Sequence, residues 1–431
     1  MNKFDFQHPA VQIVKFMKRI YDYGMTTTSG GNLSILDENG DMWISPSGID
    51  KGTLTPADVV CIKKDGTVIG KHKPSCEYPF HQGIYKANPE AKAVVHAHPP
   101  MLVAFSIAKK IPNMNVLAHS RRIVGTPSMA GYGCPGSSVL GGKIQAEFEK
   151  GFKAVLLENH GAVVCGSSLL DAFQRFETYD FTARMISDAI SLGTPHYLAE
   201  EQIQQALENH NKAFVKGPCV LPGTKELEVR AKVCELTQRA YRQKLFSSTE
   251  GTCAVRVDGD HFVITSAGCD RGTVEPQELI SVKGYEYSGC GKLDSNAWLA
   301  KTIFDRQPEL NALIFAHPTA LMAYGVADVK FDTRLIPESY LLLREVPVFD
   351  FGVQYQNLQE FVKTVSPRLP VVMVKNDFVL TAGKDLLQAL DRLEVAEYSA
   401  KGAIIAGKLG ELKLMGDDAI QDIITAFNLI P

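Results

Sequence analysis

The sequence is short of several things, and each shortage closes off a class of protein. Nine cysteines occur in 431 residues, yet none forms a CxxC pair. An odd, scattered set offers neither a disulfide framework nor a cysteine zinc ribbon; it points to reduced thiols serving as small apolar fillers in a cytoplasmic protein. Neither sign of charge predominates, with 45 Lys and Arg against 48 Asp and Glu, a formal net charge of -3 and a pI near 6.4. A nucleic-acid partner calls for a basic excess, so none is expected. The opening residues Met1-Asn2-Lys3-Phe4-Asp5 lack a hydrophobic leader, and no later apolar run reaches membrane-spanning length, so no membrane partner is expected either. No repetitive or Gln/Asn-rich tract suggests disorder, and an apolar fraction of 45% supplies a sizeable core. Length alone asks for two domains or three.

What is present centres on Ala93-Val94-Val95-His96-Ala97-His98-Pro99. Its apolar lead-in reads as the end of a buried strand, and the strand period of two puts His96 and His98 on one face. Two imidazoles so placed can share a metal ion, and a third ligand with an open position makes such a site catalytic. A second apolar strand, Lys153 to Leu157, ends in Glu158-Asn159-His160-Gly161 and delivers that third imidazole.

Three loops have the composition of an anion site. Thr26-Thr27-Thr28-Ser29-Gly30-Gly31-Asn32-Leu33-Ser34 follows a helix read over Val11 to Tyr23, and it lacks the GK[ST] of a P-loop. Ile44-Ser45-Pro46-Ser47-Gly48-Ile49 is a second loop, and Lys73-Pro74-Ser75-Cys76-Glu77 opens a helix from Tyr78 to about Asn88, with Ser75 as the expected N-cap. Glycines let backbone N–H groups converge, and hydroxyls and amides add donors. Tyr132 stands in the glycine-rich segment Met129-Ala130-Gly131-Tyr132-Gly133-Cys134-Pro135-Gly136-Ser137, a setting for a surface side chain. Together these allow one concrete chemistry. A divalent ion on three imidazoles polarises a carbonyl or stabilises an enediolate, a carboxylate moves the proton, and the loops hold a remote phosphate.

In order and spacing, Ser29-Gly30-Gly31-Asn32-Leu33-Ser34, Ser45-Pro46-Ser47-Gly48, Pro74-Ser75-Cys76-Glu77, His96-Ala97-His98-Pro99 and Asn159-His160-Gly161 resemble the class II aldolase/adducin family. The pattern is closest to its L-fuculose-1-phosphate aldolases, with L-ribulose-5-phosphate 4-epimerases as relatives. That resemblance implies His96, His98 and His160 as ligands of a divalent metal, zinc foremost. It implies Glu77 as the acid/base and, for the alkoxide, Tyr132, which falls where the aldolases have a tyrosine reaching into a neighbouring subunit's site, or a replacement supplied across the interface. Gly31, Asn32, Ser47, Gly48, Ser75 and Cys76 fall on the phosphate pocket. Cys76 departs from the family's second serine, and a thiol is a poor donor. The His-Ala-Asp-Tyr-type stretch of the epimerases is missing from residues 113 to 130.

The second half repeats the first at an offset of about 220 residues. Ile264-Thr265-Ser266-Ala267-Gly268-Cys269-Asp270-Arg271-Gly272-Thr273 echoes the run from Ile44 to Thr53, and Phe315-Ala316-His317-Pro318 echoes the HxHP stretch. Val374-Lys375-Asn376-Asp377 echoes Leu157 to His160. In this copy His96 has become Phe315, His160 has become Asp377, and Asn296 stands opposite Glu77. A helix over Ala199 to Phe214 and a linker over Val215 to Gly223 separate the copies. The expected architecture is α/β: a three-layer αβα fold with a mixed, largely antiparallel sheet, present twice. Residues 1–214 form the catalytic domain and 224–431 a degenerate one with a structural or interface role.

The leading expectation is cleavage of a ketose phosphate to dihydroxyacetone phosphate and an aldehyde. The alternatives are epimerisation, decarboxylation or dehydration of another sugar phosphate at the same metal site, and a non-catalytic, adducin-like scaffold. The family's rings of four imply a homo-oligomer in which two chains close a pseudo-fourfold ring.

Overall fold

The computed structural model describes residues 3–429. By packing they fall into two compact units, one running to Met114 and resuming over His119–Arg184, the other made of Asn115–Ala118 and the chain from Met185 onward. Residues 185–214, which precede the expected linker, therefore pack with the second unit. Among the described residues no helix is long and apolar enough to cross a membrane.

The first unit is built on strands β1 (Asn32–Leu36), β2 (Met42–Ile44), β3 (Val60–Ile62), β4 (Val68–Ile69), β5 (Ala93–Ala97), β6 (Ser128–Ala130), β7 (Ala154–Leu157) and β8 (Gly161–Gly166), in sheet order β4-β3-β2-β1-β5-β8-β7-β6. Every pairing is antiparallel except β6 with β7. All five residues of β5 are buried, which explains its unbroken apolar spelling: helices cover both faces. Helices Tyr78–Ala87 and Ser138–Glu149 lay Phe80, Ile84, Leu140, Ile144 and Phe148 against Ile44, Val94, Val155 and Val163. On the other face, helices Pro9–Asp22 and Leu169–Leu192 meet through Phe16 and Phe173, ring centroids 5.1 Å apart. The first of these forms because Pro9 sits at a helix start, His8 Nδ1 accepts from Ala10 N–H at 3.2 Å, and Ile13, Phe16, Met17 and Ile20 recur at helical spacing on the buried side.

The second unit repeats the plan. Its sheet runs Val348–Phe349, Val371–Val374, Phe378–Gly383, Ala312–Ala316, Thr252–Asp258, His261–Ile264, Ile280–Lys283, Glu286–Ser288 and Val215–Lys216, again antiparallel apart from the two outermost pairings. Thr252 pairs with Phe315 as Asn32 pairs with His96, so the registers of the copies correspond. Two local expectations are corrected. Val215 and Lys216, read as linker, form an edge strand beside Glu286 and Tyr287. The helix read over Ala199 to Phe214 is Glu200–Leu207, because Asn209 Oδ1 accepts from Asn211 N–H at 3.0 Å and turns the chain out of the helix.

Candidate metal centre

Strand alternation delivers His96 and the hairpin between β7 and β8 delivers His160. Asn159 takes the left-handed conformation at φ 57°, which reverses the chain so that His160 faces β5. At Gly161 an added Cβ would lie 2.6 Å from Ala97 O and 2.7 Å from His98 Cδ2, so only glycine lets the two strand ends approach this closely. The result is a cluster of three imidazoles. His98 Nε2 lies 3.1 Å from His96 Nε2, and one ring nitrogen from each of the three lies within 4.8 Å of the others. Imidazole nitrogens at about 2.0–2.1 Å from a tetrahedral ion stand about 3.3 Å apart, so the cluster is of metal-binding size.

The tautomer of His96 is set by its surroundings. Nδ1–H donates to Ala162 O at 3.0 Å, which leaves the Nε2 lone pair pointing into the cluster. Burial, then the neighbouring imidazoles, holds His96 well below the usual histidine range. Burial and His160 bring His98 down to about 4, and in His160 burial outweighs the raising effect of Glu77. All three rings are therefore neutral, with lone pairs available at neutral pH.

Glu77 closes the cluster. Its Oε2 lies 3.4 Å from His96 Nε2 and its Oε1 3.7 Å from His160 Nε2. The carboxylate is buried, and Oε1 has no hydrogen-bond partner. A buried acceptor left open beside three neutral imidazoles is costly unless a cation answers it. The donor set therefore fits a divalent ion. The expected N-cap moves two residues: Glu77 occupies the position before helix Tyr78–Ala87, while Ser75 Oγ accepts from Glu77 N–H at 3.3 Å and sets how the carboxylate enters. The shift follows from a turn in which Tyr78 N–H donates to Ser75 O at 3.1 Å.

The three loops are tied together next to this cluster. Ser47 N–H donates to Lys73 O at 3.0 Å, Ser75 N–H to Ser45 O at 3.3 Å, and Lys51 N–H to Thr28 O at 2.9 Å. Lys51 Nζ, buried, donates to Pro46 O at 2.7 Å. Gly31 passes under β5 at φ 71°, where a Cβ would stand 2.8 Å from His96 O. Ser47, Gly48 and Cys76 are exposed, Gly31 and Ser75 buried. Asn32 is already engaged, its Nδ2 donating to Glu77 Oε2 at 2.8 Å and its Oδ1 meeting His81 Nε2 at 2.5 Å. Tyr132 is not among the groups gathered here: the residue is 59% exposed, and its backbone is held by Glu158 Oε2 and Lys143 Nζ. Sequence reasoning missed His81, Tyr85 and Ser34. Their signal was spacing, four and eight residues after Glu77 on one helix and two after Asn32 on one strand.

The description Class II Aldolase and Adducin N-terminal domain matches residues 11–187 and again residues 231–404. The 3-oxo-tetronate 4-phosphate decarboxylase of Haemophilus influenzae is 32% identical over 204 residues, 46% of this chain and 96% of that one. The 5-deoxy-D-ribulose 1-phosphate aldolase of Bacillus thuringiensis is 32% identical, over 47% of this chain and 93% of its own. The L-fuculose phosphate aldolase of Escherichia coli is 30% identical, over 46% and 92%. Each relative is thus the size of one copy. The chain belongs to the class II aldolase and adducin family, carries the family's fold twice in tandem, and is an enzyme of the lyase type.

Proposed function

We propose that the amino-terminal copy, residues 1–214, breaks a carbon–carbon bond beside the carbonyl of a small phosphorylated sugar, and that residues 224–431 are a degenerate copy with a structural or interface role. The observation that carries this reading is the open, buried Oε1 of Glu77 next to three neutral imidazoles. When held by His96, His98 and His160, a divalent ion, zinc by its match to a three-imidazole set, supplies Lewis-acid polarisation of the substrate's carbonyl oxygen. In the leading reading the substrate is a ketose 1-phosphate resembling L-fuculose 1-phosphate. Tyr132, which stands exposed outside its own chain's cluster, or a tyrosine supplied across the subunit interface takes the hydroxyl proton at the aldehyde end, and the carbon–carbon bond breaks. Glu77 then protonates the carbon left with the electron pair, giving dihydroxyacetone phosphate and an aldehyde. Backbone N–H groups and hydroxyls at Gly31, Asn32, Ser47, Gly48, Ser75 and Cys76 hold the phosphate and fix the reacting end in place. Cys76 contributes its N–H rather than its weakly donating thiol.

A second reading follows from the decarboxylase relative, at 32% identity against 30% for the fuculose phosphate aldolase. A 3-oxo acid 4-phosphate loses CO2 where the ketose loses an aldehyde, and Glu77 protonates the same carbon. No hydroxyl proton has to leave, so loss of the tyrosine that takes it, tested first as Tyr132→Phe, cripples aldol cleavage and leaves decarboxylation intact. The test is a panel of ketose 1-phosphates and 3-oxo acid 4-phosphates, with aldehyde and CO2 followed separately. Metal-loaded protein that acts on neither class defeats the proposal.

The scattered free cysteines support a cytoplasmic place for the protein, and the duplicated fold supports assembly as a dimer whose four domains close a pseudo-fourfold ring. A monomeric mass in solution at micromolar concentration would contradict it.

A further inference from the structure

Behind Glu77 lies a continuous buried chain of polar side chains, of which the proposed chemistry uses only the backbone of Asn32. Asn32 Nδ2 meets Glu77 Oε2 at 2.8 Å, Asn32 Oδ1 meets His81 Nε2 at 2.5 Å, His81 Nδ1 meets Ser34 Oγ at 2.7 Å, and Ser34 Oγ meets Tyr85 Oη at 2.6 Å. All five residues are buried, His81 and Ser34 completely. Two stripes interlock to make the chain. Glu77, just before helix Tyr78–Ala87, shares one face with His81 and Tyr85 on it, and Asn32 and Ser34 share one face of β1.

The geometry sets one direction: the Asn32 amide turns its NH2 to Glu77 Oε2 and its carbonyl to His81 Nε2. His81 must then carry its proton on Nε2 and accept at Nδ1. Ser34 therefore donates to His81, and its oxygen accepts from the Tyr85 hydroxyl. Burial supports this: it holds His81 down to about 3, hence neutral, and pushes Tyr85 up, so the phenol keeps its proton. Oε2 is thereby an obligatory acceptor, since turning the Asn32 amide over would undo every bond behind it. Oε1, which has no hydrogen-bond partner, is the oxygen left open for the substrate.

We propose that Asn32, His81, Ser34 and Tyr85 are positioning residues, a one-way hydrogen-bond relay that locks Oε2 of Glu77 as an acceptor and presents Oε1 to the substrate carbon. The proposal rests on the reading of Glu77 as the acid/base. A second observation separates the relay from a requirement of folding. At the corresponding positions the second copy has Thr252, Ala300, Ala254 and Phe304, with Asn296 for Glu77. There Ala254, Ala300 and Phe304 belong to the apolar core together with Phe315, and the same sheet and helices form around them. The relay is missing where the carboxylate is missing, so the fold does not depend on it.

The test uses the full chain, metal-loaded and metal-free, with histidine labelled by 15N. The relay predicts a neutral His81 with a pyridine-type Nδ1 and a protonated Nε2; a protonated Nδ1 overturns it whether or not any activity is found. In steady-state kinetics His81→Leu lowers kcat about 10–100-fold with KM and metal content near the parent's, while His81→Gln, which keeps a donor toward Asn32, recovers part of the loss. Tyr85→Phe, which copies Phe304, lowers kcat severalfold. Unchanged kcat in both His81→Leu and Tyr85→Phe overturns the relay. If His81→Leu does not fold, Tyr85→Phe and the labelled parent decide. Full activity in Glu77→Gln would instead defeat the acid/base reading and leave the tautomer result standing.

Discussion

The two halves of this chain are one fold with two different centres, and the contrast separates what the fold needs from what the chemistry needs. Turn chemistry is kept. Asp50 accepts from Gly52 N–H and Thr53 Oγ1 at 2.9 Å each, and Asp270 does the same for Gly272 and Thr273 at 3.2 and 2.7 Å. Asn159 and Asn376 both turn their hairpins in the left-handed conformation, at φ 57° and 54°. What differs is the space the sheet edge encloses. In the first copy a Cβ on Gly30 would lie 2.8 Å from His98 Nδ1. In the second, Glu250 takes that position and meets His317 Nδ1 at 2.6 Å. Ser75 is matched by Asp294, which lies 3.7 Å from Arg271, the counterpart of Lys51. Arg271 also donates to Gly251 O, Ser266 O and Cys269 O. Where the first copy has the proposed anion pocket the second has an internal ion-pair network, and where the first has three clustered imidazoles the second has a phenylalanine, a paired histidine and an aspartate.

Glu77→Gln is expected to give the largest effect. It removes the proton carrier and keeps the shape, so kcat falls about 10²–10⁴-fold with metal content unchanged. The reciprocal Asn296→Glu creates no activity, because neither imidazole cluster nor relay awaits it. Gain of activity there would break the comparison. Next is Arg271→Met in the second copy. It leaves Asp294 buried without its cation, and removing one partner of a buried pair costs about 3–5 kcal/mol, read as a lower unfolding midpoint for that unit. A cost below about 1 kcal/mol would show that the network is not what fills the lost pocket.

The smallest effect concerns Asp377, which replaces His160. Burial raises its carboxyl to about 6, with Gln354 Nε2 donating to it at 2.5 Å. A folded-state value above the free carboxyl, about 3.9, means the native protein holds a proton that the unfolded chain releases. The resulting stability is present below about pH 4 and is lost as pH rises through about 6. Asp377→Asn keeps the neutral form, so the variant gains on the order of 1–3 kcal/mol over the parent above pH 6 and nothing below pH 4. Denaturant midpoints at the two pH values check it; equal shifts at both contradict the sign.

Much of this was legible in the sequence, for reasons visible in particular residues. The period of two put His96 and His98 together, and a glycine after His160 marked the close approach that brings the third ring in. The repeat at about 220 residues named Phe315 and Asp377 as the replacements of two cluster imidazoles, and the paired registers agree. Family resemblance gave the fold, and the repeat gave its two copies. The relay was not legible because each member has an ordinary local explanation: His81 and Tyr85 on a helix, Ser34 on a strand. Only the tertiary fold closes their hydrogen bonds. The packing boundary was hidden for a similar reason. Residues 185–214 read as the tail of the first copy, yet what they bury against, such as Leu198 and Ile203 with Ala118 and Phe351, lies in the second unit.

The most direct measurement of the central claim, a single working centre in a doubled fold, is the metal content of the full chain saturated with zinc and freed of excess ion. One ion per chain in the parent, one in His317→Ala and none in His96→Ala is the expected set. Two ions per chain, or an ion retained by His96→Ala and lost by His317→Ala, would contradict it.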